Sequence, residues 1–158
     1  MDKLDRKILA LYRHDTKISS ENIGSAVGLS ASAVQRRIKQ LRSNNVIEKE
    51  IAQLNSGKFG IRMLFMINVD LIHERSSNIG AFEKKMQSDP CVLQCYYVTG
   101  ETDFCLMIGV SSVEEFDRFT QHRLMSDDNV KSFTSSLVVR KSKTDLSAFI
   151  EHPASMDD

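Results

Sequence analysis

The sequence predicts an α+β protein in which an N-terminal winged helix-turn-helix precedes a ferredoxin-like βαββαβ domain. Apolar residues recur at helical spacing through the first third of the chain, whereas strand-like runs alternate with helices in the second half. The turn-rich stretch NSGKFG at 55–60 separates the two patterns. We therefore expect a first domain at 1–54, a hinge at 55–61, a second domain at 62–145 and a C-terminal tail at 146–158.

The composition is typical of a soluble globular protein. Of 158 residues, 41% are hydrophobic and 27% are charged, and only two are proline. No segment approaches the roughly 18 unbroken apolar residues of a membrane span. The charged N-terminus lacks the apolar core of a signal peptide. We expect a cytoplasmic protein that makes no membrane contact.

The net charge of zero hides an asymmetry between the two parts of the chain. Residues 1–60 hold 11 Lys and Arg against 6 Asp and Glu, whereas residues 61–158 hold 10 against 15. The first part is therefore basic by five charges and the second acidic by five. This distribution indicates that the first part alone faces a polyanion.

Three short helices are predicted before residue 46. The first buries the apolar residues Leu4, Ile8, Leu11 and Tyr12. The second begins after Ser19 or Ser20 and ends at Gly28, and Ser30 caps the third. Asn45 follows where helix ends often adopt the left-handed conformation. VIEKEIAQL at 46–54 is expected to form a hairpin or strand pair, the wing.

The third helix is predicted to bury one stripe and expose a basic face. Val34, Ile38 and Leu41 lie on the stripe, so Arg36, Lys39 and Gln40 point away from it. The major groove of DNA admits such a helix, with Arg suited to guanine and Gln to adenine. A solvated face is the alternative, but no acid occurs from Asn22 through Ile47. The candidate DNA-binding residues are Ser30, Ser32, Gln35, Arg36, Arg37, Lys39, Gln40, Arg42 and Lys49.

Some of these basic residues suit phosphate contacts better than base contacts. Arg37 and Arg42 lie on the flanks of the helix, and Lys49 and Lys58 lie in and beyond the wing. Arg37 also borders the buried stripe, so a structural role is an equal alternative.

The second half of the chain predicts the element order β-α-β-β-α-β. Strands are expected at 63–71, 92–99, 104–110 and 130–139, and helices at 77–89 and from 113 onward. One face of such a sheet is covered by the two helices, and the other is bare. Because a bare apolar face needs a partner, we expect this domain to dimerise through its sheet.

No chemistry of catalysis or metal binding is indicated. The four histidines are scattered, and neither a catalytic motif, a phosphate-binding glycine-rich loop nor metal-ligand spacing occurs. Cys91 and Cys95 would lie roughly 13 Å apart on a strand, too far for a disulfide, and with Cys105 they are interpreted as small buried hydrophobic residues. We expect no enzyme activity, no metal and no cofactor.

Several motifs together resemble the Lrp/AsnC family, also called feast/famine regulators. They are DRKIL at 5–9, DTKIS at 15–19, VGLS at 27–30, RIKQL at 37–41, VI at 46–47, LN at 54–55 and VTGETDF at 98–104. The resemblance covers nearly the whole chain, and the second half is similar to the family's effector-sensing RAM domain. It implies a transcription regulator that binds double-stranded DNA, forms a homodimer and often assembles further into a tetramer or octamer.

The resemblance also implies a site for a small effector, commonly an amino acid. The matching positions are Gly100, Glu101, Thr102, Asp103, Phe133, Thr134, Ser135 and Ser136. On chemical grounds GETD at 100–103 is either a tight turn or a zwitterion site with Asp103 as the ammonium partner. Phe133 and Ser135 stand where the family often has threonines, and the bulky ring of Phe133 raises the question whether the pocket is open.

Two other functions fit the same layout. Sirohaem decarboxylases resemble it, but they use basic and histidine side chains, and this chain has no histidine cluster. An effector-blind DNA architectural protein, with Phe133 filling the pocket, is the other alternative.

Overall fold

Three helices precede a mixed series of strands and helices in this computed structural model, whose described residues are 1–73, 75–145 and 150. The helices are α1 (Lys3–Tyr12), α2 (Ser20–Val27), α3 (Ala31–Ser43), α4 (Ser76–Gln87) and α5 (Val113–Thr120). The strands are β1 (Met63–Leu71), β2 (Val92–Tyr97), β3 (Phe104–Val110) and β4 (Val130–Leu137). Two units result, one of residues 1–53 with 143–145 and Ile150, and one of residues 54–142. The predicted tail at 146–158 lies outside the described residues except for Ile150.

Helices α2 and α3 begin after serines that the sequence nominates as caps, and α1 begins with a capping box. Asp2 and Asp5 form a capping box, in which each carboxylate accepts a hydrogen bond from the other residue's main-chain N–H. The hydroxyls of Ser19 and Ser30 cap α2 and α3. Gly28 ends α2 with a φ of +76°, a conformation that glycine adopts without strain. The predicted caps are confirmed.

The three helices pack around one small core, whose buried residues are Ile8, Tyr12, Ile23, Val34 and Ile38. Gly24 allows the close approach of α2 to the turn before α3. A Cβ atom at this position would lie 2.4 Å from the carbonyl oxygen of Leu29, a distance that no folded backbone tolerates. The helix-turn-helix geometry therefore requires glycine at position 24, a requirement that the sequence pattern did not reveal.

The predicted wing is wrong. Residues 46–54 contain neither strand nor hairpin, and only Ile47 among them is partly buried. The main-chain N–H groups of Val46 and Ile47 instead donate to the carbonyl of Leu41 and close the end of α3. The alternation of apolar and charged residues is typical of a half-buried strand, but a strand needs a partner to satisfy its backbone. No strand of the described residues pairs with this segment. Asn45 has the expected positive φ, 56°.

The second unit has the predicted β-α-β-β-α-β order. Its sheet is antiparallel throughout, with the strand order β2-β3-β1-β4. Val69 of β1 lies opposite Phe104 of β3 and Phe133 of β4, which fixes the register across the sheet. Helices α4 and α5 cover one face, where the rings of Phe82 and Phe104 pack at a tilt of 43° with their centroids 4.7 Å apart. This face holds the core, which also includes Ile67, Val69, Leu106, Ile108 and Leu124.

The other face of the sheet carries no helix in this unit. At the start of β1 and in β2 and β3 this open face is mainly apolar, with Leu64, Met66, Leu93, Tyr96 and Met107, and Gln94 lies on it opposite Met107. At the end of β1 and along β4 it is polar, with Asn68, Asp70, Ser132, Thr134 and Ser136. The face is thus half apolar and half polar rather than uniformly apolar.

Three elements differ in detail from the prediction. The helix expected from residue 113 changes to a five-residue π-helical turn at Gln121–Met125. The last strand ends at Leu137 instead of 139. Within the expected hinge, Ser56–Phe59 form one turn of 3-10 helix, which the Asn55 side chain caps by accepting from the Gly57 amide at 3.1 Å.

Candidate nucleic-acid interface and effector site

Helix α3 separates an apolar face from a polar face as predicted. Val34, Ile38 and Leu41 are buried. On the opposite side the exposed residues are Ser32, Gln35, Arg36, Lys39, Gln40 and Ser43. Because the buried stripe fixes the rotation of α3 about its axis, the exposed polar side chains all face solvent on one surface.

Arg36 and Lys39 are the unneutralised cations of this surface. Neither makes a hydrogen bond or ion pair with any other described residue. Lys49 and Lys58 are likewise exposed and unpaired within the described part of the chain. The hydroxyls of Ser30 and Ser32 lie 3.1 Å apart, and Ser30 also accepts from the Ala33 amide at 3.3 Å. The exposed face of α3 therefore presents positive charge and hydrogen-bonding groups that are not consumed internally.

Arg37 is bound by residues of the first unit, which we call the helical unit. Its Nη1 donates to Asp2 and to Asp5, each at 2.7 Å. The Asp2 carboxyl has a pKa below its ordinary value because it accepts from the Asp5 amide and, next in effect, from Arg37. The same pairs raise the pKa of Arg37, with Asp5 contributing most. Arg37 thus ties α3 to the N-terminal cap of α1, which favours the structural alternative for this residue.

Arg42 belongs to a second network at the other end of α3. Its Nη2 donates to the Tyr12 hydroxyl at 2.7 Å and to Glu50 Oε1 at 2.9 Å. The Tyr12 hydroxyl in turn donates to the same carboxylate oxygen. Arg42 lowers the pKa of Glu50, and Tyr12 adds to the effect. Burial and then Glu50 raise the pKa of Tyr12.

The turn GETD at 100–103 closes the β2–β3 hairpin at the end of β1. Gly100 has a φ of +127°, which favours glycine. The Val98 amide donates to the Asp103 carbonyl at 2.9 Å, and the Asp103 amide donates to the Val69 carbonyl at 3.0 Å. The Asp103 Oδ2 accepts from the Leu71 amide at 2.6 Å. One oxygen of Asp103 is therefore occupied by the main chain.

The effector candidates of β4 are divided between the two faces of the sheet. Phe133 lies opposite Val69 and packs against the core beneath the helices. Ser135 has the same parity as Phe133, whereas Thr134 and Ser136 are exposed on the open face, opposite Asn68 and Met66. The ring of Phe133 therefore does not obstruct the open face.

Asp70 is a neighbouring residue that sequence reasoning missed. Its Oδ2 accepts from the Ser132 hydroxyl at 2.6 Å, and its Oδ1 is buried without a hydrogen-bond partner among the described residues. Continuing the β1–β3 register by one residue places Asp103 opposite Asp70. A carboxylate inside the predominantly apolar strand MLFMINVDL was the signal that could have found it.

Metal binding and membrane insertion find no support in the described residues. No three His, Cys, Asp or Glu side chains among them are arranged to hold a metal ion. None of the described helices combines the length and hydropathy that a membrane span requires. Cys91, Cys95 and Cys105 are partly buried free thiols.

Two family models match the chain. The AsnC-type helix-turn-helix domain matches residues 1–42, and the Lrp/AsnC ligand binding domain matches residues 64–148. A leucine-responsive regulatory protein of Rhizobium meliloti is 30% identical over 143 residues, which are 90% of this chain and 92% of that protein. An HTH-type transcriptional regulator of Sinorhizobium fredii is 30% identical over 151 residues, 96% of this chain and 89% of that protein.

Solved structures are similar in fold along both units. A transcriptional regulator from Neisseria meningitidis, solved as a complex with L-Met, has a TM-score of 0.86 at 27% identity, covering 93% of this chain and 95% of that one. AsnC of E. coli has a TM-score of 0.81 at 17% identity, covering 91% of this chain and 95% of that one. With the exposed face of α3, the ferredoxin-like sheet and both family models, the chain belongs to the Lrp/AsnC family of transcriptional regulators.

Proposed function

We propose that this regulator binds a pseudo-palindromic DNA site as a dimer and changes that binding in response to an amino acid. The exposed face of α3 carries this proposal, since Arg36 and Lys39 on this face make no hydrogen bond or ion pair with another described residue. Two copies of such a helix enter half-sites one helical turn or a multiple of it apart.

The candidate DNA-binding residues and Lys58 divide into three roles. Arg36 reads base edges, with Lys39, Gln40, Gln35 and Ser32 beside it on the same face. Lys49 and Lys58 contact phosphates, which position the protein without specifying sequence. We assign Arg37 to the structure of the unit, because its guanidinium is engaged by Asp2 and Asp5.

An amino acid is the effector that the chemistry of the second unit favours. The turn of Gly100, Glu101, Thr102 and Asp103 supplies main-chain N–H groups that match a carboxylate. Asp70 and Asp103 supply two carboxylates from neighbouring strands that match an ammonium group. Thr134 and Ser136 add hydroxyls on the open face. A neighbour in fold that was solved with L-Met supports the choice of an amino acid.

The open face of the sheet is the surface through which we propose that two copies dimerise. Leu64, Met66, Leu93, Tyr96 and Met107 form its apolar half, and Met66, Leu93 and Tyr96 are about half exposed. A contiguous apolar patch of this kind is characteristic of an interface. Further assembly of dimers into a tetramer or octamer is part of the same proposal, on the ground of the family.

Genome-wide DNA capture tests both halves of the proposed function. The purified protein is incubated with fragmented genomic DNA, with and without the pooled twenty amino acids, and the bound fragments are sequenced. The proposal expects a small set of enriched sites with a two-fold symmetric motif, and it expects the pool to change their recovery. Uniform recovery of all fragments would contradict sequence-specific binding. An identical set with and without the pool would contradict an amino-acid effector and favour the effector-blind architectural protein.

A further inference from the structure

Glu50 lies against α3 and forms an ion pair with Arg42 of that helix. Its Oε1 accepts from Arg42 Nη2 at 2.9 Å and from the Tyr12 hydroxyl, while Arg42 Nη2 also donates to that hydroxyl at 2.7 Å. The three side chains form a closed triangle, which we call the Glu50 latch. Both hydrogens of Arg42 Nη2 are used within it.

Tyr12 is the rigid member of the Glu50 latch. Tyr12 is 6% exposed and belongs to the core of the helical unit, so its hydroxyl has one position. The main-chain bonds from Val46 and Ile47 to Leu41 bring the following segment back along the end of α3. Because residues 46–54 form no wing, the carboxylate of Glu50 reaches Arg42 from an irregular segment.

Arg42 itself is not immobilised. Its side chain is 49% exposed, and its guanidinium has further N–H groups outside the latch. An exposed ion pair of this kind contributes little to stability, about 1 kcal/mol or less. The guanidinium can therefore exchange a carboxylate for a phosphate without unfolding of the unit. Arg37 differs, since its side chain is 25% exposed and it is bound by two carboxylates that also cap α1.

We propose that Glu50 limits the DNA affinity of this regulator by competing with DNA phosphate for Arg42. The inference rests on the proposed function, because it requires that α3 faces DNA. A cation that is already paired with an internal carboxylate releases fewer counterions from DNA than a free one does. Glu50 is thus a determinant of affinity that contacts Arg42 rather than DNA.

The test compares four variants by fluorescence anisotropy across salt concentrations. Glu50→Gln keeps the size and hydrogen-bonding capacity of the side chain and removes its charge. Glu48→Gln is the matched control, since Glu48 is exposed in the same segment and makes no hydrogen bond or ion pair with a described residue. The single variant Arg42→Gln and the double variant Glu50→Gln with Arg42→Gln are compared to show whether the effect of Glu50 passes through Arg42. The probe is a labelled duplex of mixed sequence long enough for two half-sites.

Glu50→Gln is expected to steepen the slope of log affinity against log salt by about 0.9, the value for one additional phosphate. That slope adds about a 3.5-fold difference in affinity between 50 and 200 mM salt. The expectation is that Glu48→Gln leaves the slope unchanged and that Glu50→Gln has no effect once Arg42 is Gln. Thermal unfolding of each variant without DNA monitors the fold.

Three outcomes would overturn this inference without contradicting the proposed function. Equal effects of Glu48→Gln and Glu50→Gln would show simple repulsion between acids and DNA. An effect of Glu50→Gln that persists without Arg42 would show that the arginine is not involved, and weaker binding by Glu50→Gln would show that the latch supports α3. If the wild-type protein binds no duplex, the proposed function fails and the inference fails with it.

Discussion

The Asp103 carboxylate accepts a hydrogen bond from the main-chain N–H of Leu71 at 2.6 Å. The main-chain carbonyl of Asp103 accepts a hydrogen bond from the Val98 amide within the β2–β3 hairpin. The side chain therefore replaces a main-chain acceptor at the end of β1, beside the irregularity in β1–β4 pairing at Asp70 and Leu71. A residue nominated for effector binding thus also has a structural role.

The two roles of Asp103 are separable by substitution. Asp103→Asn retains an acceptor for the Leu71 amide and removes the charge, so we expect nearly wild-type stability and a lost or weakened response to an amino acid. Asp103→Ala leaves that amide unpaired, which costs about 1–3 kcal/mol. Urea unfolding measures the stability of both variants. Thermal shift measures the response to an amino acid, since ligand at about 100 times its dissociation constant adds roughly 2.7 kcal/mol. A full ligand shift in Asp103→Asn would remove this residue from the effector site.

Gly24→Ala is expected to destabilise the helical unit. Its Cβ would lie 2.4 Å from the Leu29 carbonyl, which is main chain and cannot rotate away. Forced overpacking of this kind costs about 1–3 kcal/mol. The control is Gly80→Ala in α4, where no heavy atom lies within 4 Å of the added Cβ. There we expect no loss, and a gain of up to about 1 kcal/mol. Equal unfolding free energies for the two variants would show that the turn adjusts.

The hydrogen bond from the Asp5 amide to Asp2, together with the pairing of Asp2 with Arg37, predicts a pH dependence of stability. The folded-state pKa of Asp2 is lowered, so its contribution is present above the ordinary carboxyl pKa of about 3.9 and is lost as the pH falls through the lower folded value. Asp2→Asn should therefore flatten the acid limb of thermal unfolding temperature against pH. Glu21→Gln is the control, since Glu21 is exposed and makes no contact with a described residue. An unchanged acid limb in Asp2→Asn would mean that the pair contributes nothing.

A charge on the apolar half of the open face should dissociate the dimer. Met66 is 45% exposed at the centre of this half, and Met66→Lys would bury a charge in the interface. Light scattering after size exclusion is expected to report a dimer or larger for the wild type and a monomer for the variant. Val113→Lys, on the exposed surface of α5, should leave the mass unchanged. A monomeric wild type would contradict dimerisation, and a dimeric Met66→Lys would place the interface elsewhere.

The elements that could be predicted are those whose local chemistry is complete in the sequence. Ser19, Ser30 and Gly28 carry their own capping signals, and the period of β1 shows which of its residues are buried. The wing was wrong because alternation alone does not supply a pairing partner. Gly24 was missed because its constraint comes from the carbonyl of Leu29, which only the folded turn brings close.

The candidate sites show the same limit. The buried stripe of α3 predicted which side chains are exposed, because helix geometry determines this from sequence alone. The partners of Arg37 and Arg42 were not predictable, since Asp2 lies 35 residues from Arg37 in sequence and Tyr12 lies 30 residues from Arg42. Asp70 required the sheet register to place it opposite Asp103.

The central claim is that the exposed face of α3 reads DNA, and Arg36 tests it most directly. A gel-shift titration on a captured site compares Arg36→Ala with Lys7→Ala, which removes an equal charge from the exposed side of α1, and with Lys58→Ala. We expect Arg36→Ala to weaken binding by about 1–3 kcal/mol and to relax base preference. Lys58→Ala should weaken binding to all sequences alike and flatten the salt slope by about one, and Lys7→Ala should have little effect. Unchanged affinity and base preference in Arg36→Ala would contradict the claim.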